Sequence, residues 1–363
     1  MTSVDLTLNL SMLGPSPTGI GIYAQKCASA LENYFECTVV SSHYGGTSRK
    51  RLQSPENIII GAKRGAAFKR ILYMWNGFPK VNGLVYTPTH HGMIGRTNQI
   101  ITILDLIPLR FPSQHRSQYY YFKYLLPKIM RNSLAVFTIS ESVKSEIAEY
   151  YKFPLEKIYV VPCGLDHEKY CACKTAYVGE KPYLLVVGAA YYHKNIQELL
   201  QHHQLWAQKY NVKIVGSRGS YREFLQKTVE QLNLQKSVEF TGYLSDAELV
   251  RTMRECEALV YPSLCEGFGM PPLEVMACGR PVIISNLPVH KEICADVPLY
   301  VTPGNSESWV RAFSLLEDKP FLERTISAGL ELVQRYTWKK SGEMLINSLL
   351  HVVPKLSESI KQP

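Results

Sequence analysis

No stretch of 18 or more uncharged apolar residues occurs in this 363-residue chain, and its opening, Met1-Thr-Ser-Val-Asp5, lacks the basic start and continuous apolar run of a secretory leader. This reading excludes a membrane-spanning or exported protein and predicts a cytoplasmic one. The nine cysteines show neither the spacing of a metal site nor the density of a disulfide scaffold, which predicts reduced thiols. Cys171-Ala-Cys173 is the one close pair, and with no second pair to complete a tetrahedral set it predicts no metal. Recognition-helix, zinc-finger and RNA-module signatures are missing as well, so nucleic acid is not expected as a partner.

What is present is ordinary globular material. Hydrophobic residues make up 46% and charged residues 20%, enough apolar surface for a large core. The length exceeds the roughly 250 residues at which single cores stop growing, so two domains are expected. The formal charge of +9 is uneven: residues 1–165 hold 18 Lys and Arg against 9 Asp and Glu, the remainder 22 against 22. Much of the excess lies in Arg49-Lys50-Arg51, Lys63-Arg64, Lys69-Arg70 and the Tyr-rich stretch from His115 to Arg131. It reads either as a solvated basic face or as attraction to anionic lipid headgroups or a phosphate-bearing acceptor, at about 1 kcal/mol per basic residue near a charged membrane.

Short apolar runs alternate with helical periodicity. Residues 4–10 alternate apolar and polar like a strand, run into a glycine-rich loop at 14–21, and then into a helix at about 22–31. Further strands are predicted at 38–41, 84–87, 100–104, 134–139 and 158–161, with helices at 113–131 and 141–150, the latter capped by Ser140. Residues 162–182 lose all period. A second series follows, with strands at 183–187, 213–215, 238–241, 258–261, 281–284 and 299–301, helices from Lys194 and from near Leu273, and helix from Ser306 onward, the last ending near Val352. This alternation predicts an α/β chain of two Rossmann-like, doubly wound parallel-sheet domains. Their bounds are 1–165 and 183–340, with a linker at 166–182 and a C-terminal helix, 341–363, packing back on the first domain. The two domains are expected to face each other across a cleft, with ligands at the carboxyl ends of the strands.

The most informative stretch is Tyr261-Pro-Ser-Leu-Cys-Glu266-Gly-Phe-Gly-Met-Pro-Pro-Leu-Glu274, two carboxylates flanking a glycine-rich turn before a helix. Backbone N–H groups of such a turn can point at a diphosphate, while carboxylates accept hydrogen bonds from sugar hydroxyls. A nucleotide sugar presents both. Two glutamates eight apart would otherwise read as solvent-facing groups beside a structural turn. The intervening Gly-Phe-Gly-Met-Pro-Pro-Leu and the following Met276-Ala-Cys-Gly-Arg-Pro-Val282 make that reading the weaker one.

The segment closely resembles the Glu-x7-Glu motif of the family 4 retaining glycosyltransferases, a GT-B family. The resemblance implies that Glu266 holds the donor sugar's hydroxyls near the reacting carbon, that Glu274 binds the ribose, and that Gly267, Phe268, Gly269 and Met270 bring backbone amides to sugar and diphosphate, with Ser263 opening the donor segment. Val187-Gly188-Ala-Ala-Tyr-Tyr-His193-Lys194-Asn195 resembles the family's loop in which an Arg and a Lys neutralise the leaving diphosphate. Lys194 keeps that role and His193 stands at the arginine position. A cation is needed because the diphosphate gains negative charge as the glycosidic bond breaks. Arg218, which follows Ile214-Val-Gly216-Ser217 at a strand-to-turn position, is a second counter-charge on the same edge. Gly242-Tyr243-Leu244 resembles the turn on which the base packs, and Ser245 with Glu248 also fits a helix capping box.

In the first half, Thr18-Gly19-Ile20-Gly21 resembles the family's glycine loop before the first helix, which assigns Gly19 and Gly21 to donor phosphate or acceptor. Ile101-Thr-Ile-Leu104-Asp105-Leu-Ile-Pro108 resembles a segment whose His lies near the donor sugar; here Leu104 replaces it, and Asp105 is left to bind acceptor or orient sugar hydroxyls. His90 and His91 are alternative acceptor groups. Adjacent on an extended segment they would not share a face, so at most one is expected to serve.

Asp-x-Asp, the metal-chelating signature of the other large glycosyltransferase fold, is absent, so no metal and no other cofactor are expected. The resemblance thus implies retaining, metal-independent transfer of a hexose from a nucleoside diphosphate sugar to a hydroxyl of a glycan or polyprenyl-diphosphate-linked acceptor. Resemblance to mannosyltransferases of polysaccharide and O-antigen assembly favours GDP-mannose. A UDP-sugar donor is the alternative, as is a sugar-nucleotide-binding partner without turnover, motivated by Leu104, Ala189 and His193. The basic first half favours a peripheral place at the inner face of an anionic membrane.

Overall fold

The computed structural model describes residues 4–15, 18–59, 65–172 and 179–361; Lys63, Arg64 and Cys173 lie outside them. The chain forms two compact units, one of residues 1–164 with 338–363 and one of residues 165–337.

The first unit is built on β1 (Leu6–Asn9), β2 (Cys37–Val40), β3 (Lys50–Leu52), β4 (Leu84–Thr87), β5 (Gln99–Thr102), β6 (Ala135–Thr138) and β7 (Ile158–Val160), in spatial order β3-β2-β1-β4-β5-β6-β7. Every pairing is parallel. β1, β4, β5 and β6 are buried at every residue, as expected where helices cover both faces of a parallel sheet. β3 escapes sequence reading because Lys50, Arg51 and Leu52 are all exposed; a charged edge strand carries no apolar alternation.

Three helical expectations change. The first helix spans Gly19–Tyr34, so Gly19 and Gly21 form its first turn rather than a loop before it. The continuous helix expected at 113–131 is broken into Arg116–Tyr120, a wider turn at Tyr121–Leu125 and Leu126–Asn132. Pro127 cannot donate the backbone hydrogen bond that would continue the preceding helix. A helix at Ala66–Leu72, prolonged by a wide turn over Tyr73–Gly77, was invisible because its large apolar residues Phe68, Leu72 and Trp75 face outward.

The C-terminal helix, Trp338–Val352, belongs to this unit and packs on Gly19–Tyr34. The approach is close: a Cβ on Gly342 would stand 2.8 Å from that of Ala30. Beyond it, Ser359 O accepts from Glu36 N at 3.1 Å and Lys361 N donates to Tyr34 O at 2.9 Å.

The second unit has β8 (Tyr183–Val187), β9 (Asn211–Val215), β10 (Val238–Gly242), β11 (Ala258–Tyr261), β12 (Val282–Ser285) and β13 (Leu299–Val301), in order β10-β9-β8-β11-β12-β13 and parallel throughout. Trp206, Trp309 and Tyr221 are among its fully buried side chains. Residues 166–172, expected as linker, and Leu165, expected to end the first domain, fall in this unit, with Leu165 bridging Thr337. In each sheet the winding direction reverses between two neighbouring strands, β1 and β4 in one, β8 and β11 in the other. Loops leaving such a pair diverge and leave room for a ligand.

Candidate active site

The loops that leave β8 and β11 meet at the switch point of the second unit. Lys194 ends a short turn, Tyr192–Lys194, after β8, and Glu266 lies between β11 and the helix Met270–Ala277. Leu264 N donates to His193 O at 2.7 Å, which ties the two loops together through the backbone. Lys194 Nζ then donates to Glu266 Oε1 at 2.6 Å and to the Tyr261 hydroxyl at 3.0 Å. The side chains of Lys194 and Glu266 are 16% and 9% exposed, so each charge has lost most of its water and depends on the other. Burial pushes the Glu266 carboxyl up, but the adjacent Lys194 ammonium overrides it and holds the group below the usual carboxylate range. Burial likewise favours neutral Lys194, and Glu266 with Tyr261 reverses that, keeping it protonated.

Glu274 sits within the helix Met270–Ala277, which starts at Met270 rather than near Leu273. Burial raises its carboxyl to about 7, against a hydrogen bond from Tyr170 that lowers it. Gly269 precedes this helix at φ 92°, a left-handed value that favours glycine. A Cβ there would stand 3.3 Å from Cδ2 and Nε2 of His290. His290 is fully buried, with Nδ1 donating to Ser285 O at 2.8 Å, and its Nε2 has no hydrogen-bond partner among the described residues.

A second network braces the β8 loop. Glu198 is buried, and its Oε1 accepts from Gly304 N at 2.7 Å and Trp309 Nε1 at 3.0 Å, while Oε2 accepts from Asn195, the residue that follows Lys194.

Of the residues singled out by sequence, Gly188, Lys194, Arg218, Gly242, Tyr243, Leu244, Ser263, Glu266 to Met270 and Glu274 lie in the second unit, at or after the carboxyl ends of its strands. Arg218 is exposed and stands over the ring of Tyr191, on the β8 loop, at 5.9 Å. Tyr243 is 90% exposed after β10, and Ser245 with Glu248 forms the expected capping box. His193 is buried, its ring parallel to that of Tyr191. Gly19, Gly21, His90, His91 and Asp105 belong to the first unit. Asp105 accepts from Ile107 N at 3.0 Å. His90 and His91 do not diverge: the chain bends after Thr87, Gly92 N donates back to His90 O, and the two rings lie 4.1 Å apart. Sequence reasoning passed over Tyr170, His290 and Glu198, which are distant from the motif along the chain, and Tyr261, whose place beside the motif was a usable signal.

The two halves match two family models, Glycosyltransferase Family 4 over residues 17–169 and Glycosyl transferases group 1 over residues 174–331. The chain belongs to the family 4 glycosyltransferases and has the GT-B fold. Among its relatives is the O-antigen chain mannosyltransferase RfbU of Salmonella typhimurium, 31% identical over 95% of this chain and 99% of that one. The O-antigen chain mannosyltransferase B of Escherichia coli is 26% identical over 69% of each. Solved structures of like fold include sucrose-phosphate synthase from Thermosynechococcus elongatus, at a TM-score of 0.75 and 18% identity over 97% of this chain and 99% of that one. Anabaena HepE in complex with UDP-glucose follows at 0.70 and 15%, over 96% and 100%.

Proposed function

We propose that this glycosyltransferase moves a hexose, with retention and without a metal, from a nucleoside diphosphate sugar to a hydroxyl of a glycan on a polyprenyl diphosphate carrier, in surface polysaccharide synthesis. The observation that carries the reading is the Lys194–Glu266 pair at the β8/β11 switch point. Donor binding exchanges partners within it: Glu266 accepts hydrogen bonds from the sugar hydroxyls, and Lys194, with Arg218 from the loop after β9, turns its charge to the diphosphate. That charge stabilises the leaving group as the glycosidic bond breaks. The diphosphate in turn takes the acceptor proton, on the face of the sugar it leaves. Glu274 receives the ribose, Tyr243 the base, and the amides of Gly267 to Gly269 the sugar and phosphates. In the first unit, Asp105 orients the acceptor.

Mannose from GDP-mannose is the donor favoured by the printed activity of the two O-antigen relatives. A UDP-sugar is the second reading, favoured by the UDP-glucose bound to the structurally similar HepE. The basic excess of the first unit supports a cytoplasmic protein peripheral to an anionic membrane; no helix among the described residues is long and apolar enough to cross one.

The test is a thermal-shift and turnover screen against GDP-, UDP- and ADP-sugars with and without EDTA. Selective stabilisation by GDP-mannose, unaffected by chelation, is expected, at about 2.7 kcal/mol when ligand is a hundredfold above its Kd. A response to UDP-sugars alone would replace the donor, loss on chelation would end the metal-free mechanism, and no response in folded protein would sink the reading.

A further inference from the structure

The first unit holds a recess of about 60 Å³, room for a few water-sized groups and so for a phosphate head rather than a whole small molecule. The helix Ala66–Leu72 with its following turn forms one wall, and the segment from Arg116 to Asn132 forms the other. Its polar lining is Arg70, His90, His91, Ser117, Gln118 and Tyr121, and Ile71, Met74 and Leu125 are among the residues that supply apolar surface.

Arg70 is half-buried and has no carboxylate partner among the described residues' ion pairs. Its Nε donates to Ile58 O at 2.9 Å and Nη2 to Ile59 O at 3.3 Å, and Nη1 stands 3.4 Å from His91 Nε2. A guanidinium has five N–H groups, so two remain. The surrounding sequence leaves the charge uncompensated as well: between Glu56 and Glu141 the chain carries 11 Lys and Arg and a single acid, Asp105. A partly desolvated cation in such a stretch calls for an anion.

The apolar walls call for more than a bare anion. The helices that form them also expose Phe68, Trp75, Tyr120 and Tyr124, 66%, 61%, 56% and 57% accessible, each next in sequence to a lining residue or one removed from it. Aromatic side chains outside a recess with a cation inside suit an amphipathic ligand with a charged head. A neutral glycan offers no charge to meet that cation.

We propose that this recess binds the prenyl-proximal phosphate of a polyprenyl diphosphate carrier, with Arg70 on that phosphate, Gln118 on its oxygens, and the first prenyl units leading out past Ile71, Met74 and Leu125. The site deepens the lipid-linked acceptor reading by naming where the carrier is held, and it rests on that reading.

The experiment is isothermal titration of the full chain with farnesyl phosphate, farnesol and inorganic phosphate, repeated in Arg70→Gln and Ala67→Trp. Ala67 is an exposed lining residue, so the tryptophan fills the recess without entering the core. Farnesyl phosphate should bind at least about tenfold more tightly than either fragment, and each variant should lose about tenfold or more. Equal binding of farnesol would reduce the site to an apolar slot, and equal binding of inorganic phosphate would reduce it to an anion site. Undiminished affinity in Ala67→Trp, or in a folded Arg70→Gln, would place any binding elsewhere. Each of these outcomes overturns the proposal. Nucleotide-induced stabilisation measured on the same samples separates the two ideas: if it persists while farnesyl phosphate fails, only the carrier site is lost.

Discussion

Lys194 Nζ lies 2.6 Å from Glu266 Oε1, joining positions 72 residues apart in the chain, because β8 and β11 are neighbours in the sheet. Neither charge is well solvated, so removing one strands the other. Lys194→Met should destabilise the protein by about 3 kcal/mol in urea unfolding and lower turnover by about a thousandfold. The double variant Lys194→Met/Glu266→Gln should recover part of the stability and none of the turnover. Strictly additive stability losses would show that the two groups are not coupled.

As the proposed ribose ligand, Glu274 should make stability and nucleotide affinity respond to pH in opposite directions. Its ordinary pKa is 4.5, and in the fold it is about 7. Between those values the folded protein keeps a proton that the unfolded chain has shed. This contribution is therefore most favourable below 4.5, falls as pH rises, and levels off above 7, by up to about 3 kcal/mol. Glu274→Gln should remove it, visible as a pH-dependent difference in urea midpoints. Ribose hydroxyls donate to the ionised form, so nucleotide affinity should rise through pH 7. Tyr170→Phe, which removes a hydrogen bond favouring ionisation, should move that rise to higher pH.

Gly269 combines a φ of 92° with a neighbour 3.3 Å from any Cβ. Gly269→Ala should cost about 1–2 kcal/mol and displace the turn that carries the amides. Adding His290→Ala clears the space but leaves the backbone strain, so melting temperature should recover only in part. Full recovery would assign the whole effect to the contact.

Glu198 receives a main-chain N–H, an indole N–H and the Asn195 amide. Glu198→Ala would orphan all three, at about 3 kcal/mol. Glu198→Gln keeps the shape, loses the charge and should cost less. Hydrogen exchange should show faster opening at residues 192–196 in both, since this carboxylate braces the turn beside Lys194.

The sequence disclosed those parts of the fold in which one physical signal dominated. Buried parallel strands such as Tyr183–Val187 and Ala258–Tyr261 are continuous apolar runs, and their predicted bounds coincide with the observed ones. The edge strand Lys50–Leu52 and the helix Ala66–Leu72 were hidden because charge or outward-facing aromatics replaced apolar periodicity. Helix starts were read late at Gly19 and Met270, where a glycine or a pair of prolines suggested loop, although Pro271 fits a first turn well. Glu266 and Lys194 could each be recognised from local wording, but their direct contact depends on strand order. Tyr170 and His290 reach the site from distant segments, and only packing brings them there. The paired histidines at 90 and 91 were misjudged because a bend was read as extended chain.

One consequence of the architecture concerns synthesis. The first unit needs residues 338–361 to finish its edge, whereas the second is one uninterrupted stretch, 165–337. On a ribosome adding about 5–20 residues per second, the amino-terminal sheet waits roughly ten to forty seconds for its final helix. The later-made half can close first, and the two ends of the chain then meet at Tyr34 and Lys361. A nascent chain stalled before Trp338 would therefore carry a completed second unit tethered to an unfinished first one, exposed to chaperones and proteases through the vacant surface around Ala30.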